Sequence, residues 1–530
     1  MALAALNASL TFANIWPTLG VRLTAGLSIE LAIGVLGLVL AWRWLGVASP
    51  AARRWLAVLW VVLIVGRYGD VTTRSLYGRA INLYWDLQFL PDVGAMFAFV
   101  ANRWLAAAVV LALLLVPVLL YVPVRWAIGR LSDAVADARM RAALGVAAAG
   151  VLVLWMGQGV LATVSFTRPV TPAFVRAAGE IAYEMSGAGV RALAPPPSID
   201  SDFGRVLGAD VLLVFLESYG AVSWERPAFV RALAPSRARL EADIQATGRE
   251  VASAFVESTT FGGESWLAHI SLLSGTEVRD QRTNIRLMAQ ERDTLVKAFG
   301  RHGYRTVAIM PGVQRDWPQG AFYGFDEIYS LSRLDYRGPP FGWWDITDQF
   351  ALAAVDAVEV APLDRQPSFI VFPTISTHAP FTPAPPYQPD WGRILTPTPY
   401  DAPDLDRAWS EQPDWLDLGP GYVRALAYAH ATIGGYLRLR ADRDLVVLVI
   451  GDHQPPALVS GEGASWNVPI HVIASRRALL DRLRQHGFGD GLAPHPPIVA
   501  RMDTLLPLLL DAFGSATDPV ESGRAVAATQ

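Results

Sequence analysis

The chain has 530 residues, of which 52% are hydrophobic and only 17% are charged. Soluble proteins carry about 25% charged residues, and nearly all the long apolar runs of this chain precede residue 165. This distribution excludes a purely soluble enzyme, an all-membrane transporter and a disordered protein. The net charge of -4 provides no basic surface for nucleic acid, and the absence of cysteine excludes disulfides, thiolate metal sites and cysteine nucleophiles.

Apolar segments at the start of the chain predict four membrane-spanning helices, because a span needs about 20 mostly apolar residues. These segments are residues 23–42, 55–66, 104–123 and 142–163. The second segment is short, so a full span must continue through Arg67 and Asp70. Residues 1–19 are mildly apolar and form a candidate fifth span. We therefore expect a transmembrane domain over residues 1–164, with four helices or five.

Basic residues between the spans predict their orientation, since cytoplasmic loops are enriched in Lys and Arg. The arginines of the two loops in question are Arg43, Arg53, Arg54, Arg125, Arg130, Arg139 and Arg141. With both loops cytoplasmic, everything after Thr163 lies outside the cytoplasm, whether there are four spans or five. The prediction is a multi-pass protein of the inner (plasma) membrane. Residues 165–204 include three consecutive prolines and are predicted to form a juxtamembrane helix and linker.

After residue 204 the pattern changes to short apolar runs that alternate with amphipathic helices. The predicted strands are residues 211–216, 306–310, 368–372, 445–450 and 470–474, and the predicted helices are residues 227–247, 292–301, 422–440, 477–486 and 503–513. Unbroken apolar strands between helices are typical of a parallel sheet covered on both faces. We therefore predict an α/β domain over residues 205–515, with a long surface loop at 382–420 and a tail at 516–530.

Polar residues follow three of these strands, at the edge where such sheets bind ligands. Glu217 follows the first strand, His378 comes shortly after the third, and Asp452 and His453 follow the fourth. Taken singly, a carboxylate at a strand end more often caps a helix or forms a turn, and a lone histidine is usually structural. Together they offer the oxygen and imidazole ligands that divalent cations prefer. The conjunction predicts a metal site at this edge.

A candidate nucleophile lies between the first two predicted strands. Gly262 and Gly263 precede Glu264 and Ser265, and an amphipathic run follows. The pattern predicts a tight loop entering a helix with Ser265 in its first turn, where an anionic substrate group is favoured. Coordination to a divalent metal would activate the serine hydroxyl for attack on phosphorus. The simpler alternative is that Ser265 only caps the helix.

These motifs, in this order, resemble those of the lipoteichoic acid synthase family of phosphoglycerol transferases. The motifs are Glu217-Ser218, Gly262-Gly263-Glu264-Ser265, Ser376-Thr377-His378-Ala379-Pro380-Phe381 and Gly451-Asp452-His453. That family belongs to the alkaline phosphatase and sulfatase superfamily, so the resemblance implies an α/β three-layer sandwich for the catalytic domain. It covers residues 206–513, and the N-terminal spans match the family's architecture.

The resemblance also implies a site with one divalent metal ion, which is Mn2+, Mg2+ or Zn2+. The implied metal ligands are Glu217, Ser265, Asp452 and His453. Ser265 would be the nucleophile, and His378 would contact the substrate phosphate or the leaving group. Arg315, which precedes Tyr323-Gly324-Phe325-Asp326, resembles a basic family position that binds the phosphoglycerol group.

Two residues depart from the family pattern. Ser265 stands where the family usually has Thr, and it offers the same oxygen. His269 stands where many relatives carry an acidic residue, which bears on substrate specificity. Sulfatases of the superfamily place a Pro two residues and an Arg four residues after a residue that becomes formylglycine. Leu267 and His269 occupy those places here, so sulfate-ester hydrolysis is not expected.

The implied function is a transferase that moves phosphoglycerol from phosphatidylglycerol to a glycan or glycolipid acceptor through a covalent intermediate on Ser265. A phospholipid donor accounts for the membrane tether. A phosphoethanolamine transferase or a phosphodiesterase of the same fold stays open as an alternative. An inactive membrane scaffold is the alternative from another class. The argument against it is the intact set of Glu217, Ser265, Asp452 and His453.

Overall fold

The computed structural model describes residues 1–15, 18–46, 49–78, 80–100, 103–157, 165–186, 193, 195–313 and 317–515. The chain divides into two compact units, residues 1–190 and 191–530. The division falls inside the segment predicted to be a juxtamembrane helix and linker. The finer boundaries at residues 164 and 204 stay predictions.

The first unit consists of helices and a short antiparallel hairpin. Its helices are α1 (Ala2–Ala8), α2 (Ile29–Leu45), α3 (Pro50–Tyr77), α4 (Leu83–Asp86), α5 (Leu90–Val100), α6 (Arg103–Ala136), α7 (Ala138–Met156) and α8 (Thr171–Ser186). The hairpin pairs β1 (Phe12–Asn14) with β2 (Val21–Leu23). Apolar side chains of α1, α2, α3, α6 and α7 form the core of this unit.

Three helices of the described chain are long and apolar enough to cross a membrane: Pro50–Leu76, Arg103–Ala136 and Ala138–Met156. They correspond to the last three predicted spans. The first predicted span contains α2, whose 17 residues put it at the lower bound of spanning lengths. The candidate fifth span is wrong, because residues 1–19 hold the seven-residue α1 and the strand β1.

The two arginine-rich connections lie at one end of this unit, which we call the arginine end. Arg53 of α3 forms an ion pair with Asp133 of α6 at 2.9 Å. The Arg141 guanidinium lies 3.4 Å from the ring centre of Trp42. The predicted loop at 125–141 is in fact almost entirely helical. α6 runs to Ala136 and α7 begins at Ala138.

The segment that follows α7 lies at the opposite end of the same unit. Glu30, in the first turn of α2, accepts a hydrogen bond from the Val170 N–H at 2.5 Å. Arg67, near the end of α3, donates to the carbonyl oxygens of Arg168 and Phe12, each at 2.9 Å. The chain therefore leaves the helices on the side away from the arginine end.

The second unit is built on a nine-stranded sheet. Its strands are β3 (Asp210–Leu216), β4 (Glu250–Glu257), β5 (Arg305–Met310), β6 (Glu327–Ser330), β7 (Ser368–Pro373), β8 (Leu445–Gly451), β9 (Asn467–Ala474), β10 (Gly489–Asp490) and β11 (Ala500–Arg501). The order is β10-β4-β9-β8-β3-β7-β5-β6, and β11 pairs with β4. β8, β3, β7 and β5 are parallel, as predicted, and β6, which was not predicted, pairs with β5 in parallel as well. β9, predicted to be parallel as well, runs antiparallel to both β8 and β4.

Helices cover both faces of this sheet. They are α9 (Val222–Glu225), α10 (Pro227–Ala246), α11 (Ser265–Ser274), α12 (Gln281–Met288), α13 (Leu295–Arg301), α14 (Leu331–Leu334), α15 (Asp348–Val355), α16 (Ala402–Ser410), α17 (Gly419–Leu439), α18 (Ala457–Ser460), α19 (Arg477–Gln485) and α20 (Leu505–Phe513). Alternate residues of β3 enter two separate hydrophobic cores, with Leu213 in one and Leu212 in the other. This arrangement confirms the predicted three-layer α/β sandwich.

The segment at 382–420 is more ordered than the predicted surface loop. It contains the nine-residue helix α16. Ile394 and Tyr400 are buried in one of the two cores of the second unit. Proline and aspartate in this segment suggested an exposed loop, whereas tertiary contacts of its apolar side chains fold it onto the domain.

Candidate active site

The carboxyl ends of the central strands bring the first site residues together. β3 and β8 are parallel neighbours with Leu216 opposite Gly451, and every residue of both strands is buried. The first polar residues after them, Glu217 and Asp452, therefore emerge at the same edge. On the other side of β3, the Thr374 hydroxyl after β7 accepts the Glu217 N–H at 3.1 Å.

A glycine-rich turn delivers the serine. Gly262, Gly263 and Glu264 have φ values of 68°, 148° and 62°, a run of positive angles that glycine adopts most readily. Ser265 is then the first residue of α11, and Glu264 occupies the N-cap position. The alternative that Ser265 merely caps the helix is therefore wrong. The positive end of the helix dipole at this point favours an anionic group beside Ser265.

Three side chains from three different elements converge at this point. Ser265 Oγ donates a hydrogen bond to Glu217 Oε2 at 2.7 Å and lies 3.2 Å from His453 Nε2. His453 Nε2 in turn lies 3.3 Å from Glu217 Oε1. Glu217 and His453 are buried, whereas Ser265 is only half-buried. A substrate can reach the serine oxygen while its partners stay out of water.

Asp452 uses one carboxylate oxygen for the backbone and leaves the other free. Its Oδ1 accepts the N–H groups of Ser218 at 2.8 Å and of His453 at 2.7 Å. Its Oδ2 is buried and has no hydrogen-bond partner among the described residues. Ser218 adopts a positive φ of 57°, a strained conformation of the kind that clusters at functional sites. The unpaired oxygen costs stability unless a cation or a donor satisfies it.

The charges of these groups are strongly coupled. Burial opposes ionisation of Glu217, but the charge and hydrogen bond of His453 outweigh it and hold the pKa of Glu217 below its usual value. Burial also disfavours charged His453, yet Asp452 and Glu217 raise its pKa to about 9. Burial and the Glu217 charge raise the pKa of Asp452. A cation bound here would replace the proton of His453, so binding would release a proton.

The donor set fits a divalent metal ion. One ligand atom from each of Glu217, Asp452 and His453 lies within 4.8 Å of the others, and all three residues are buried. His453 Nδ1 lies 2.7 Å from the carbonyl oxygen of Gln454. Because a carbonyl only accepts, Nδ1 carries the hydrogen, and Nε2 can present its lone pair to a metal. The four predicted ligands are thus together, and their role as ligands stays a prediction.

Of the two predicted substrate contacts, the structure describes only His378. His378 follows β7, with Nδ1 at 2.7 Å from the Ala379 carbonyl oxygen and its ring packed edge-on against Trp344. Its charge contributes to lowering the pKa of Glu217, which places it near the site. In the described residues it forms no hydrogen bond with Ser265. Arg315 lies outside the described residues.

Sequence reasoning missed a buried carboxylate beneath the turn that carries His378. Asp348 accepts the N–H groups of Ile375 and Ser376 at 2.8 and 2.9 Å. Burial raises the pKa of Asp348 to about 6. Asp348 is the first residue of α15, a helix that the apolar pattern did not predict, so no signal pointed to it. Thr374, by contrast, lies between the predicted strand at 368–372 and His378, where polar residues were expected to matter.

Comparison with known proteins relates part of the second unit to a family model. Residues 255–472 match the protein-family model described as Sulfatase. This matched segment lies in the second unit and is similar in sequence to the Sulfatase family. The resemblance seen in the motifs is confirmed at this level. No curated protein matches the chain.

Several solved structures are similar to this chain at low sequence identity. The integral membrane protein lipooligosaccharide phosphoethanolamine transferase A from Neisseria meningitidis is 16% identical, with 97% of this chain and 94% of that chain covered and a TM-score of 0.50. An alkaline phosphatase superfamily protein from Vibrio parahaemolyticus is 19% identical over 61% of this chain and 69% of its own, with a TM-score of 0.39. The lipoteichoic acid synthase LtaP from Listeria monocytogenes is 14% identical over 62% and 77%, with a TM-score of 0.38.

Proposed function

We propose that this protein is a membrane-anchored, metal-dependent transferase that moves a phospholipid head group to a glycan or glycolipid acceptor. The donor is phosphatidylglycerol and the group transferred is phosphoglycerol. The observation that carries the proposal is the position of Ser265, whose Oγ lies 2.7 Å from Glu217 and 3.2 Å from His453 at the start of a helix. A metal ion held by Glu217, Ser265, Asp452 and His453 would lower the pKa of the serine hydroxyl and neutralise phosphate charge.

The residues of the chain account for both halves of the reaction. In the first half, the Ser265 oxygen bonds to phosphorus, the bond from phosphorus to the diacylglycerol oxygen breaks, and that oxygen takes up a proton. Glu217 Oε2 receives the hydrogen bond of the serine hydroxyl and orients its oxygen. In the second half, an acceptor hydroxyl loses a proton and displaces Ser265, which regains one. In this proposal His378 contacts the phosphate or the leaving oxygen, as the family resemblance implies.

The first unit supports an extracytoplasmic position for this chemistry. Arg53 and Arg141 mark the arginine end, which the positive-inside rule assigns to the cytoplasm. The residues after α7 return to the opposite end, where Arg168 and Val170 contact α3 and α2. The second unit would then face the leaflet that holds its lipid donor, in a multi-pass protein of the inner membrane.

A phosphoethanolamine transferase is the second candidate. The observation in its favour is the shared fold over 97% of the chain with a phosphoethanolamine transferase. The two candidate functions differ only in the phospholipid head group that is transferred. A phosphodiesterase of the same fold would use water in place of the acceptor.

The test is a head-group transfer assay with the purified full chain in lipid nanodiscs. Phosphatidylglycerol and phosphatidylethanolamine, each labelled in the head group, are supplied separately, and the released diacylglycerol and the labelled product are identified. We expect diacylglycerol and a covalently labelled protein from phosphatidylglycerol, and neither from Ser265→Ala. Labelling from phosphatidylethanolamine alone would favour the second candidate. Free glycerol phosphate without labelled protein would contradict a transferase, and no turnover of either lipid with Mn2+, Mg2+ or Zn2+ would contradict both.

A further inference from the structure

A long cleft separates α2 from α3 at the arginine end of the first unit. One face of each helix forms a wall, and the end of α6 forms the floor. The lining of α2 extends from Gly34 to Gly46, which is about 18 Å at the helical rise of about 1.5 Å per residue. The volume of the cleft is about 820 Å3, within the range of about 300–1,000 Å3 that small-molecule sites occupy. The cleft therefore has the length and volume for an extended lipid chain.

The cleft stays open because small residues line it and the two helices pack elsewhere. α2 packs on α7, and α3 packs on α6. Gly34, Gly37 and Ala41 line the cleft from α2, and Ala52 lines it from α3. A Cβ atom added to Gly37 would meet no neighbouring group within 4 Å. Small residues between membrane helices normally allow the helices to touch, whereas here they leave room for a ligand.

A buried hydroxyl lines the cleft without a partner. Ser132 of α6 is 4% exposed, and its Oγ forms no hydrogen bond with any described residue. A serine inside a helix can donate to the carbonyl oxygen four residues earlier, which Ser132 does not do. Leaving a buried hydroxyl unsatisfied costs stability. A ligand that brings an acceptor oxygen to this point would remove that cost.

The arginine end of the cleft has the features of a lipid head-group site. Trp42 and Trp55 line the cleft there, and tryptophan is enriched where a membrane meets water. Arg43 lies in the last turn of α2 and Arg54 near the start of α3, and both are exposed. Neither side chain forms an ion pair within the described part of the chain. Two positive charges are therefore available to an anionic group.

The acidic residues of the same region already have partners. Asp133 forms an ion pair with Arg53 at 2.9 Å. Asp137 caps α7, and its Oδ1 accepts the backbone N–H groups of Arg139 and Met140. The charge that remains for a ligand at this end is therefore positive.

We propose that the cleft binds one anionic phospholipid of the leaflet at the arginine end. One acyl chain occupies the cleft, Ser132 Oγ donates to a glycerol ester oxygen, and Arg43 and Arg54 hold the phosphate. Basic pockets between membrane helices favour anionic head groups in this way. A second copy of this chain is disfavoured as the occupant, because it would bring the same unpaired arginines. The inference goes beyond the proposed function, since the site uses no active-site residue and its lipid is not consumed.

The experiment uses the full chain in detergent and phospholipids that carry a photoreactive diazirine in one acyl chain. Phosphatidylserine, which is neither candidate donor, is compared with phosphatidylcholine of the same chains, and mass spectrometry identifies the labelled peptides. Gly37→Leu fills the cleft. Gly150→Leu is the matched control on α7, where an added Cβ also meets no neighbouring group within 4 Å. A double variant, Arg43→Gln with Arg54→Gln, removes the two charges.

We expect phosphatidylserine to label residues 34–59 at least about 5-fold more than phosphatidylcholine, which is the effect of about one surface arginine. Gly37→Leu should lose this labelling, Gly150→Leu should keep it, and the double variant should label equally with both lipids. A chain that transfers no head group can still give this pattern, so the two proposals fail separately.

Three results would overturn the lipid site. They are equal labelling of the wild type by the two lipids, labelling that survives in Gly37→Leu, and labelling lost in Gly150→Leu as well. A dimeric wild type without labelling would instead make the cleft an interface between copies. If the melting temperature shows that Gly37→Leu is unfolded, the double variant decides alone, and an unchanged preference for phosphatidylserine overturns the proposal.

Discussion

Ser265 combines exposure with a fixed orientation, which is what a nucleophile needs. Its side chain is half-buried, while the glycine turn before it and the carboxylate of Glu217 fix the direction of its Oγ. A serine hydroxyl alone is a weak nucleophile at neutral pH. Activation of the Ser265 hydroxyl must therefore come from neighbouring residues. Glu217, Asp452 and His453 are all buried and lie close enough together to bind one cation.

Replacement of Ser265 should change the rate of head-group transfer without unfolding the protein. Ser265→Ala removes the attacking oxygen, and we expect head-group transfer to fall by roughly 10³-fold or more. Ser265→Thr keeps an oxygen in the same place, so its rate should stay within about 10-fold of wild type. Initial rates from labelled phosphatidylglycerol and the melting temperature of each variant are the measurements. A wild-type rate in Ser265→Ala would show that water or another residue attacks phosphorus.

The end of β8 shows how an element as a whole positions the site. Gly451 is the last residue of the strand and precedes Asp452 directly. A Cβ atom at Gly451 would lie 1.9 Å from the Tyr219 carbonyl oxygen and 3.0 Å from Val468 Cβ. The close approach of the two backbones is what brings the ends of β3 and β8 together. The glycine in the Gly-Asp-His motif is thus required because neighbouring backbone segments of the sheet leave no room for a Cβ atom.

Gly451→Ala should therefore disturb the site through the backbone. We expect a loss of about 1–3 kcal/mol in stability from overpacking and weaker metal binding, because Asp452 must move with the strand end. Gly300→Ala is the matched control, since a Cβ there meets only Thr306 Cγ2 at an ordinary 3.7 Å. Denaturant unfolding and chelator competition measure the two effects. Full stability and wild-type metal affinity in Gly451→Ala would contradict the argument.

The whole molecule combines helices that are apolar and long enough to cross a membrane with an α/β sandwich, and its charge distribution predicts the orientation of those helices. The arginine end and the segment after α7 lie at opposite ends of the first unit, as the contacts of Arg53 and Arg168 show. If the arginine end is cytoplasmic, an odd number of crossings separates it from the second unit. The prediction does not depend on whether α2 crosses the membrane fully.

Reporter fusions test this orientation. Alkaline phosphatase fused after Phe513 should be active, because it folds only outside the cytoplasm, and the same reporter fused after Ser49 should be inactive. A fluorescent protein exported by the general pathway should give the reverse pattern at the two sites. Fluorescence from the fusion after Phe513 would place the second unit in the cytoplasm and remove access to an outer lipid donor.

Two buried histidines should limit the stability of the second unit in acid. His430 and His471 lie in its interior, and burial, followed by the nearby Arg237 charge, lowers the pKa of each to about 3. The unfolded chain binds protons at these histidines below about pH 6.5, whereas the folded chain does not until about pH 3. Stability is therefore lost as pH falls from 6.5 towards 3, at about 1.4 kcal/mol per pH unit for each histidine.

Removing one of these histidines should flatten that dependence. In His430→Gln, the free energy of unfolding should fall less steeply between pH 6.5 and 5 than in wild type, although the variant starts less stable at pH 7. His495→Gln, at an exposed position, should keep the wild-type slope. Denaturant unfolding followed by tryptophan fluorescence gives the slopes. Equal slopes in wild type and His430→Gln would show that His430 is protonated in the folded chain.

The sequence by itself determined the parts of this protein that depend on local pattern. Apolar runs marked the last three membrane spans and the strands β3, β5, β7, β8 and β9, because burial on both faces leaves no polar alternation. The polar residues after β3 and β8 then had to meet, since parallel strands end at one edge. Glu217, Asp452 and His453 could be placed together for that reason, and the glycine pair before Ser265 predicted the turn that delivers it.

Only the tertiary structure decided the features that depend on strand direction and distant contacts. An apolar run has the same pattern in either direction, so the antiparallel course of β9 was not visible in it. Asp348 reaches its N–H partners 27 and 28 residues away. His269 Nε2 lies 3.8 Å from Asp452 Oδ2, although the two residues are far apart in the chain. Such pairs are set by the packing of α11 and α15 against the sheet, and no local pattern in the chain records that packing.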